Sequence, residues 1–573
     1  MNRTIQLGPA ARAEAIKAMR ATDHSEPLDV LVVGGGVVGA GIALDAVTRG
    51  LSTAVLEQRD LGSGTSSRSS KLVHGGLRYL EMFDFGLVRE ALEERGLLLT
   101  RLAPHLVRPV PFLYPLYKVY ERPYVGAGLV LYDGMAATSK FDMGVPRHRH
   151  IFRRQLSRIA PDLRTDELHG AIRYYDCQVD DARLVATLAR TAASYGAHVT
   201  TRTRVTGFLR DGKRVVGVKV RDLENDVDFE VSAKRVINAA GVWTDQIQEM
   251  MGGEGALKVE ASKGIHIVVP RDRIRSECGF ITKTAVSVLF VIPWGTHWII
   301  GTTDTPWNLD LAHPAASRAD IDYLLAHVNT LLKDPLDHSD VEGVYAGLRP
   351  LLKPAKESST TKVSREHTVV APVPGLVLIA GGKLTTYRVM ARDAVDMAVR
   401  DMSEVGPSIT ERVVLAGADR YETRTNQRVG LARSAGIEIG RIDHLLGRYG
   451  GLIDEVLDVI AAKPALGEPI PGAEDYLKAE VIYAVTHEGA RHLDDVLARR
   501  TRISIETFDR GASAAKPVAD LMAGVLGWNR RRVREEVEHW WRRVEAEKQS
   551  QLQLTDQEAD EARVAAPEGH WNE

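Results

Sequence analysis

Three glycines and one carboxylate near the start of the chain could together hold a dinucleotide. Gly34, Gly36 and Gly39 stand in GxGxxG spacing, and Glu57 follows eighteen residues after the last of them. The first glycine permits a tight turn, the second lets a pyrophosphate approach the backbone, and the third lets helix and strand pack closely. The carboxylate can accept hydrogen bonds from both hydroxyls of an adenosine ribose, whereas an NADP site would favour an arginine.

The elements around these residues have the pattern that such a site needs. Residues 29–33 form an apolar run typical of a buried parallel strand, a helix follows and ends at Gly50, and residues 53–56 form a second strand. Three glycines at this spacing often mark only a loop. The strand before them, the helix after them and the acid at the end favour the dinucleotide interpretation.

Composition narrows the possible classes of function. A length of 573 residues predicts several domains, and a net charge of -2 argues against a global field that recruits nucleic acid. Cys177 and Cys278 form no CxxC pair, so we expect a reducing compartment and no metal site. Residues 1–26 lack the apolar region of a signal peptide, and no apolar run reaches the roughly 18 residues of a spanning helix. We therefore expect a cytosolic protein or one that lies on a membrane face.

The stretch from Gly62 to Leu80, GSGTSSRSSKLVHGGLRYL, combines hydroxyls, cations and glycines with little apolar content. A solvated loop would explain its serines and glycines. It would not explain Lys71, His74 and Arg78 directly before a predicted helix at 81–101. We therefore expect a functional loop held between rigid elements.

Several segments carry a resemblance to a known family. They are GGGVVGAGIALDAVTRG from residue 34, TSSRSSKLVHGGLRYLE from 65, KGIHIVVP at 263–270, VIPWGTHWIIGTTD at 291–304, AGLRPL at 346–351 and GGKLTTYR at 381–388. With these segments the chain resembles the FAD-dependent glycerol-3-phosphate dehydrogenases of the aerobic, quinone-reducing type. The similarity spans roughly residues 27–400 and continues into the C-terminal region.

The resemblance implies an activity and its partners. It implies FAD bound without a covalent link, oxidation of sn-glycerol 3-phosphate to dihydroxyacetone phosphate, and hydride transfer from C2 to flavin N5. Electrons would then pass to a membrane quinone. The resemblance also implies a cytoplasmic homodimer, attached peripherally to the inner face of the cell membrane.

The resemblance also implies a set of residues that bind FAD. These are Gly34, Gly36, Gly39, Glu57, Thr65, Ser66, Ser69, Ser70, Lys71, Leu72, His74, Gly75, Gly76, Val205, Ala240, Gly241, Asp304, Gly382, Lys383, Leu384 and Thr385. By pattern alone Val205 could equally be a strand-core residue. A helix beginning near Thr385 would direct its positive end at the flavin pyrimidine ring.

Glycerol 3-phosphate carries a near-dianion, so its site needs fixed positive charge, preferably the planar fork of arginine. Arg78 and Arg349 fit that role, although either could be a surface ion-pair arginine. Tyr79 could add a phosphate hydrogen bond, and Lys383 could hold the C2 hydroxyl. His266 is the candidate base, since the reaction needs one near that hydroxyl, although a lone histidine is more often structural. The predicted catalytic set is His266, Lys383 and Arg349.

We expect an α/β fold with a Rossmann-like FAD-binding domain, an antiparallel β-sheet substrate domain of the D-amino-acid-oxidase-like type, and a C-terminal α-helical domain. The predicted boundaries are 27–105, 176–262 and 341–405 for the FAD-binding domain, 106–175 and 263–340 for the substrate domain, 406–546 for the helical domain, and 1–26 and 547–573 for flexible ends.

Two other functions fit the same residues. A glycerol-3-phosphate oxidase would keep the site but pass electrons to oxygen, and a non-catalytic flavin-binding sensor would keep only the fold. A final helix after Asn529 contains Trp540 and Trp541 among several arginines. This helix could contact a membrane interface, but its glutamates favour a solvated helix with core tryptophans.

Overall fold

The structure, a computed structural model, describes residues 6–80, 82–141, 143–252, 255–284, 288–352 and 367–566, apart from the Arg78 side chain. Its helices are α1 Pro9–Arg20, α2 Val37–Thr48, α3 Phe85–Leu97, α4 Glu121–Ala137, α5 Arg153–Ile159, α6 Asp181–Ser194, α7 Thr244–Glu249, α8 Arg318–Asn329, α9 Tyr387–Val399, α10 Tyr421–Asn426, α11 Arg428–Ala435, α12 Ile439–Tyr449, α13 Ile453–Ala462, α14 Lys478–His487, α15 Ile503–Glu506, α16 Ala515–Leu526, α17 Arg530–Ser550 and α18 Asp556–Val564. Its strands are β1 Leu28–Val33, β2 Thr53–Leu56, β3 Leu72–Val73, β4 Arg108–Leu116, β5 Arg149–Ile151, β6 Gly170–Gln178, β7 His198–Thr200, β8 Thr203–Asp211, β9 Arg214–Asp222, β10 Val227–Asn238, β11 Val259–Pro270, β12 Gly279–Lys283, β13 Val288–Trp294, β14 His297–Gly301, β15 Thr305–Trp307, β16 Gly343–Leu352, β17 His367–Val373, β18 Leu376–Gly381, β19 Pro469–Ile470 and β20 Ala473–Leu477.

The first sheet carries the glycine motif. Its strands β18, β10, β1, β2 and β7 run parallel in that order, with β17 antiparallel at one edge. At the end of β1, Val33 stands between Leu56 on β2 and Asn238 on β10. The carboxyl ends of parallel strands therefore meet at one edge, which is where open α/β sheets bind ligands. Strands β8 and β9 form an antiparallel hairpin that turns between Asp211 and Arg214.

The second sheet covers that edge. Its order is β15, β11, β14, β13, β12, β4, β6 and β3, while β16 also pairs with β11 and β5 with β6. The register on β11 places His266 opposite Gly301 on β14 and opposite Tyr345 on β16. Arg349 on β16 lies opposite Ser262. Strand pairing thus brings His266 and Arg349 to neighbouring strands of one sheet.

Strand β16 differs from the sequence expectation. Residues 341–405 were assigned to the FAD-binding domain, but β16 pairs along its length with β11 in the second sheet. Strand β6 likewise crosses the predicted boundary between residues 175 and 176. An apolar run predicts a strand but not the sheet that it joins, because pairing partners are set by contacts far away in sequence.

The C-terminal region is helical, as predicted. Helices α12, α13 and α14 share one apolar cluster, and α14, α16 and α17 share a second. Asn529 caps α17 through the amide of Arg532. Trp540 on α17 is buried, whereas Trp541 is 49% exposed and donates to the Ala512 carbonyl. The core interpretation therefore holds for Trp540.

The two ends differ from the prediction of flexible tails at 1–26 and 547–573. Helix α1 packs against β7 and β10, with Met19 fully buried. Helix α18 packs against α17 and buries Ala559, and its Asp556 pairs with the buried ammonium of Lys263. These helices are largely polar in composition, but α1 buries Ile16 and Met19 and α18 buries Ala559, and such an apolar stripe docks a helix. Residues 1–5 and 567–573 lie outside the described residues.

Within the described ranges, no helix combines the length and the apolar character needed to cross a membrane.

Candidate active site

A large cavity of about 520 Å³ lies at the carboxyl ends of β1, β2 and β18. Much of its wall is backbone, at Gly34, Gly36 and residues 239–241. Gly34 has a φ of +108°, and a Cβ there would lie 2.7 Å from the Ala239 carbonyl oxygen. A Cβ on Gly39 would lie 1.9 Å from the Gly34 oxygen. Glycine at both positions is therefore required by the packing of the turn.

Glu57 is the acid of this cavity. Its carboxylate accepts hydrogen bonds from the backbone amides of Gly35 and Arg59, both at 2.7 Å. Burial raises the pKa of Glu57, although both amides and the Arg59 charge oppose that shift. The Arg59 guanidinium lies 5.2 Å from the centre of the Trp243 ring. Glu57 is thus positioned at the end of β2, where a ribose would meet it.

Hydroxyl groups face the start of α2. Ser66 Oγ accepts a hydrogen bond from the Val37 amide at 3.0 Å, and Thr65 Oγ1 donates to the Leu348 carbonyl at 2.6 Å. A Cβ on Gly36 would meet no neighbour closer than Ser66 Oγ, at 3.2 Å. Open backbone at a helix N-terminus suits a pyrophosphate, so these residues fit FAD.

A second, smaller cavity of about 220 Å³ adjoins the first. Gly381, Gly382, Lys383 and Leu384, in the turn after β18, line both cavities. The predicted residues that line the smaller one are Thr65, Ser66, Ser69, Ser70, Leu72, His74, His266, Arg349, Gly382, Lys383, Leu384 and Thr385. The turn therefore joins a dinucleotide-sized channel to a pocket with histidine, arginine and lysine in its walls.

His266 is buried in the wall of the smaller cavity. Its Nε2 lies 2.8 Å from Ser70 Oγ, and its ring stacks on Tyr345 with centroids 4.7 Å apart. Nδ1 is buried with no hydrogen-bond partner among the described residues. Burial, and then the positive charges of Arg349 and Lys71, hold the pKa of His266 well below its ordinary value. The imidazole is therefore neutral at pH 7.

Arg349 points from β16 toward the segment after β14. Its guanidinium donates to Thr302 Oγ1 and the Thr303 carbonyl, both at 3.2 Å, and to Asp304 at 3.3 Å. The side chain keeps 23% of its surface exposed. Its orientation is therefore held by three contacts while part of the guanidinium stays accessible from the cavity.

Lys383 lies at the junction of the two cavities. Its ammonium sits 3.8 Å from the centre of the Tyr79 ring, a cation–π contact with a buried tyrosine. Behind it, Thr385 Oγ1 accepts from the His74 amide at 3.2 Å. A short 3-10 turn, Leu384–Thr386, precedes α9. The predicted helix after residue 385 therefore begins at Tyr387.

Some predicted residues lie behind the cavity walls. The ammonium of Lys71 contacts Asp181 at 2.9 Å, away from either cavity. The Gly75 amide donates to Tyr132, and Asp304 accepts from Ser262. Gly76 has a φ of +77° and abuts the Tyr79 ring. The role expected of Arg78 concerns a side chain outside the described part of the chain.

Sequence reasoning missed three residues that shape the site. Tyr345 stacks on His266, Trp243 lines the large cavity beside Arg59, and Asp181 holds Lys71. Tyr345 lies in strand β16 and Asp181 begins helix α6, and no sequence motif marks any of the three as a site residue. The one sequence signal is the aromatic Trp243, two residues after Gly241, which the resemblance assigns to FAD binding.

Comparisons with known proteins agree with this geometry. Residues 29–396 match the family described as FAD dependent oxidoreductase, and residues 408–533 match the C-terminal domain of alpha-glycerophosphate oxidase. Glycerol-3-phosphate dehydrogenase 2 of Mycobacterium tuberculosis is 56% identical over 98% of this chain and 95% of its own length. The human mitochondrial glycerol-3-phosphate dehydrogenase is 36% identical over 90% of this chain and 73% of its own.

A solved structure extends the comparison. The glycerol-3-phosphate dehydrogenase from Bacillus halodurans, complexed with FAD, superposes with a TM-score of 0.76 at 29% identity. It covers 95% of this chain and 97% of its own. A glycine oxidase from Geobacillus kaustophilus shares the fold of 68% of this chain, with a TM-score of 0.52 at 20% identity. The predicted fold class and FAD are confirmed.

Proposed function

The chain belongs to the family of FAD-dependent glycerol-3-phosphate dehydrogenases, and on that premise we propose that it oxidises sn-glycerol 3-phosphate to dihydroxyacetone phosphate and delivers the electrons to a membrane quinone. The observation that carries the proposed chemistry is the smaller cavity, in which His266, Arg349 and Lys383 line one space. That space shares the turn at 381–384 as a wall with the dinucleotide channel.

Arg349 and Lys383 supply the positive charge that binds the substrate phosphate and hydroxyls. The guanidinium presents two parallel donors, which suits a phosphate better than a point charge does. Its contacts with Thr302, Thr303 and Asp304 support this role, because they hold the fork in one orientation before substrate arrives. The sequence also predicts Arg78 and Tyr79 in this role.

His266 takes the proton of the C2 hydroxyl in the proposed reaction. Its low pKa keeps the ring unprotonated when substrate binds, as a base requires, although the same shift makes it a weaker base than an ordinary imidazole. The contact with Ser70 and the stacking on Tyr345 hold the ring in place. Lys383 stabilises the oxygen as the proton leaves. FAD, when bound, supplies the acceptor for the C2 hydride at its N5 atom.

An anaerobic titration tests this reaction. Glycerol 3-phosphate and a panel of other three-carbon phosphates are added to the purified flavoprotein, and the flavin absorbance near about 450 nm is followed. We expect bleaching with glycerol 3-phosphate and little with the analogues. An unchanged spectrum with glycerol 3-phosphate contradicts the proposal.

The proposed acceptor is a quinone rather than oxygen. The relatives of 56% and 36% identity are dehydrogenases by name, which supports this choice, whereas the match of residues 408–533 to the C-terminal domain of an alpha-glycerophosphate oxidase does not favour either acceptor. The competing oxidase keeps the same site, so only the oxidative half-reaction separates the two. Rapid mixing of the reduced protein with air-saturated buffer or with a soluble quinone analogue makes the comparison. Fast peroxide formation with a slow quinone reaction would overturn the quinone proposal.

An apolar and basic surface around α4 supports peripheral attachment to the inner face of the cell membrane. Val119, Tyr124, Val130 and Phe152 are each at least 60% exposed. Residues 117–158 hold eight lysines and arginines against three aspartates and glutamates. Exposed apolar side chains beside basic ones are what an anionic lipid surface binds. Helix α4 also buries Tyr132 against Gly75, one residue from the cavity-lining His74.

Vesicle sedimentation tests this surface. We expect the flavoprotein to bind vesicles of anionic lipid and to lose binding in a Tyr124→Ser/Val130→Ser variant. A Trp541→Ser variant, which changes a half-exposed tryptophan on the distant helix α17, is the control and keeps binding. Equal binding by all three proteins would contradict the assignment. The homodimer stays a prediction, which light scattering of the purified protein tests.

A further inference from the structure

A buried arginine joins the C-terminal helical region to the loop that lines the smaller cavity. Arg502 lies between Arg500 and α15 and is 2% exposed. Its Nη1 donates to the Ser67 carbonyl at 3.2 Å. Its guanidinium also pairs with Asp180 and Asp181 at the start of α6. One side chain from the C-terminal region therefore contacts both the loop and the helix behind it.

Asp181 carries the contact further along the loop. Its Oδ2 accepts from the amide and the hydroxyl of Ser69, at 3.0 and 2.7 Å. Its Oδ1 accepts from Lys71 Nζ at 2.9 Å, and that ammonium also donates to the Ser67 carbonyl at 3.1 Å. The side chains of Lys71 and Asp181 are both fully buried. Buried charged side chains therefore contact both ends of the Ser67–Lys71 segment: Arg502 and Lys71 at the Ser67 carbonyl, and Asp181 at Lys71.

The segment needs such support. Lys71 has a φ of +57°, in the left-handed region, which costs free energy in a residue other than glycine. Removing one partner of a buried charge pair leaves the other charge buried and unpaired. Loss of a pair that holds this loop is therefore expected to destabilise it more than loss of a surface ion pair would.

The middle of the segment contacts the candidate base. Ser70 Oγ lies 2.8 Å from His266 Nε2. Tyr345 donates from its hydroxyl to the Ser69 carbonyl at 3.0 Å, and its ring stacks on His266. A displacement of residues 69–70 would therefore change both contacts of the imidazole.

We propose that Arg502 is a positioning residue: through Asp181 it holds the Ser67–Lys71 segment so that Ser70 and Tyr345 keep His266 oriented toward the substrate. The inference rests on the proposed function, in which His266 takes the proton. It assigns the C-terminal region a part in the oxidation, although Arg502 itself touches neither the imidazole nor Ser70 in the described contacts.

A matched pair of variants tests the inference. Arg190 on α6 also makes a buried contact with the C-terminal region, to Glu455 at 3.0 Å and to Tyr483, but it lies nine residues beyond Asp181. Arg502→Lys and Arg190→Lys therefore each weaken one buried arginine at the same interface. Hydrogen exchange of the purified flavoprotein reads out the loop directly. We expect amides of residues 67–71 to exchange about 10-fold faster in R502K and at the wild-type rate in R190K.

Single-turnover kinetics provide the second measurement. The flavoprotein is mixed anaerobically with glycerol 3-phosphate, and the rate constant for flavin bleaching is measured at several substrate concentrations. We expect R502K to lower the limiting rate constant about 10- to 100-fold, because a small misplacement of a catalytic group has that effect. The substrate concentration at half-maximal rate should change by less than about 3-fold. R190K should match the wild type in both.

A double variant tests whether Arg502 acts on the loop through Asp181. If Arg502 acts through Asp181, R502K/D181N slows bleaching no more than D181N alone, since residues that act as a unit are not additive. Should R502K fail to fold, Asp181→Asn weakens the carboxylate through which Arg502 acts: residues 67–71 should then exchange faster and bleaching should slow, and wild-type behaviour of D181N in both would overturn the inference.

The outcomes separate the two proposals. A wild-type flavin that ignores glycerol 3-phosphate overturns the proposed function. A wild-type flavin that bleaches, together with R502K and R190K that behave alike in exchange and in rate, overturns the inference about Arg502 alone.

Discussion

The two adjoining cavities are built in different ways. The larger is lined by the backbone of the turns that end β1, β10 and β18, by apolar side chains, and by the charged residues Glu57, Arg59, Arg204 and Lys383. The smaller is lined by side chains of His266, Arg349 and Lys383, which come from β11, β16 and the turn after β18. The glycine turn of the larger cavity requires residues without a Cβ. The smaller cavity requires the charge or the aromatic ring of particular side chains.

Because of this difference, we expect mutations in the two cavities to affect different measured properties. At the glycine turn beside the larger cavity an added methyl would overlap backbone atoms, as at Gly34 and Gly39, so the turn would have to shift. In the smaller cavity a truncated side chain leaves the strands intact but removes a donor or a base. We therefore expect variants of the larger cavity to change FAD affinity, and variants of the smaller one to change substrate binding and rate.

His266→Gln should have the largest effect on rate. Glutamine keeps a polar group near Ser70 but cannot take up a proton, so the limiting rate of flavin bleaching should fall about 100- to 10,000-fold. FAD content should match the wild type. Stopped-flow bleaching measures the rate, and the absorbance ratio of the purified protein measures the FAD content. Loss of FAD in H266Q would contradict the expectation that residues of the smaller cavity do not determine FAD affinity.

The pH dependence sharpens the same prediction. Burial and the charges of Arg349 and Lys71 hold the pKa of folded His266 well below 6.5, so the base stays neutral at pH 7. The bleaching rate should stay level through pH 6.5 and fall only at lower pH, and H266Q should lack that fall. The unfolded chain takes up this proton near pH 6.5 while the folded chain does not, so His266 lowers stability progressively below that pH.

Arg349→Ala should have the next largest effect. Loss of one half of a desolvated charge pair should weaken binding of glycerol 3-phosphate by about 2 to 4 kcal/mol, which raises KM about 30- to 700-fold. Arg273→Ala, at an arginine that pairs with Asp340 at the surface, is the control and should leave KM unchanged. An unchanged KM in R349A would remove Arg349 from the phosphate site.

Gly39→Ala should act on the other cavity. Its Cβ would lie 1.9 Å from the Gly34 oxygen, so the turn must shift. We expect FAD affinity to fall by about 3 kcal/mol, or about 100-fold, measured by flavin fluorescence during reconstitution. Gly86→Ala, where an added Cβ meets nothing within 4 Å, is the control. Normal FAD affinity in G39A would show that the turn tolerates side chains.

Glu57→Gln should give the smallest of these effects. The amide keeps one acceptor for the two backbone donors at Gly35 and Arg59, so one hydrogen bond is lost. FAD affinity should fall about 10-fold while KM for glycerol 3-phosphate stays constant. A change in KM without a change in FAD affinity would place Glu57 with the smaller cavity instead.

Much of the larger cavity could be predicted from the sequence, because its residues follow one another in the chain. The turn after β1 and the acid after β2 are separated by a single helix, so spacing alone places them together. The smaller cavity could be predicted only through the family resemblance. Nothing in the local pattern of residues 343–352 indicated that this strand joins β11 or that Tyr345 faces His266.

Lys71 shows the same limit at a single residue. The family resemblance implied that Lys71 binds the cofactor, and the structure pairs its ammonium with Asp181 behind the cavity wall. Backbone spacing does not specify which way a side chain points when φ is positive, as it is at Lys71. The docked ends of the chain, α1 and α18, were missed because their composition is largely polar. Helix α1 nevertheless packs against β7 and β10, and α18 packs against the neighbouring helix α17.

The order of apolar runs, glycines and acids by itself determined the dinucleotide-binding unit, because a strand, a tight turn and a helix depend on neighbours within about 30 residues. Only the tertiary structure decided how His266, Arg349 and Lys383 share one pocket and how Arg502 contacts the loop behind it. Those contacts depend on strand register and on domain packing, which arise from the summed burial of many side chains rather than from any short stretch of sequence.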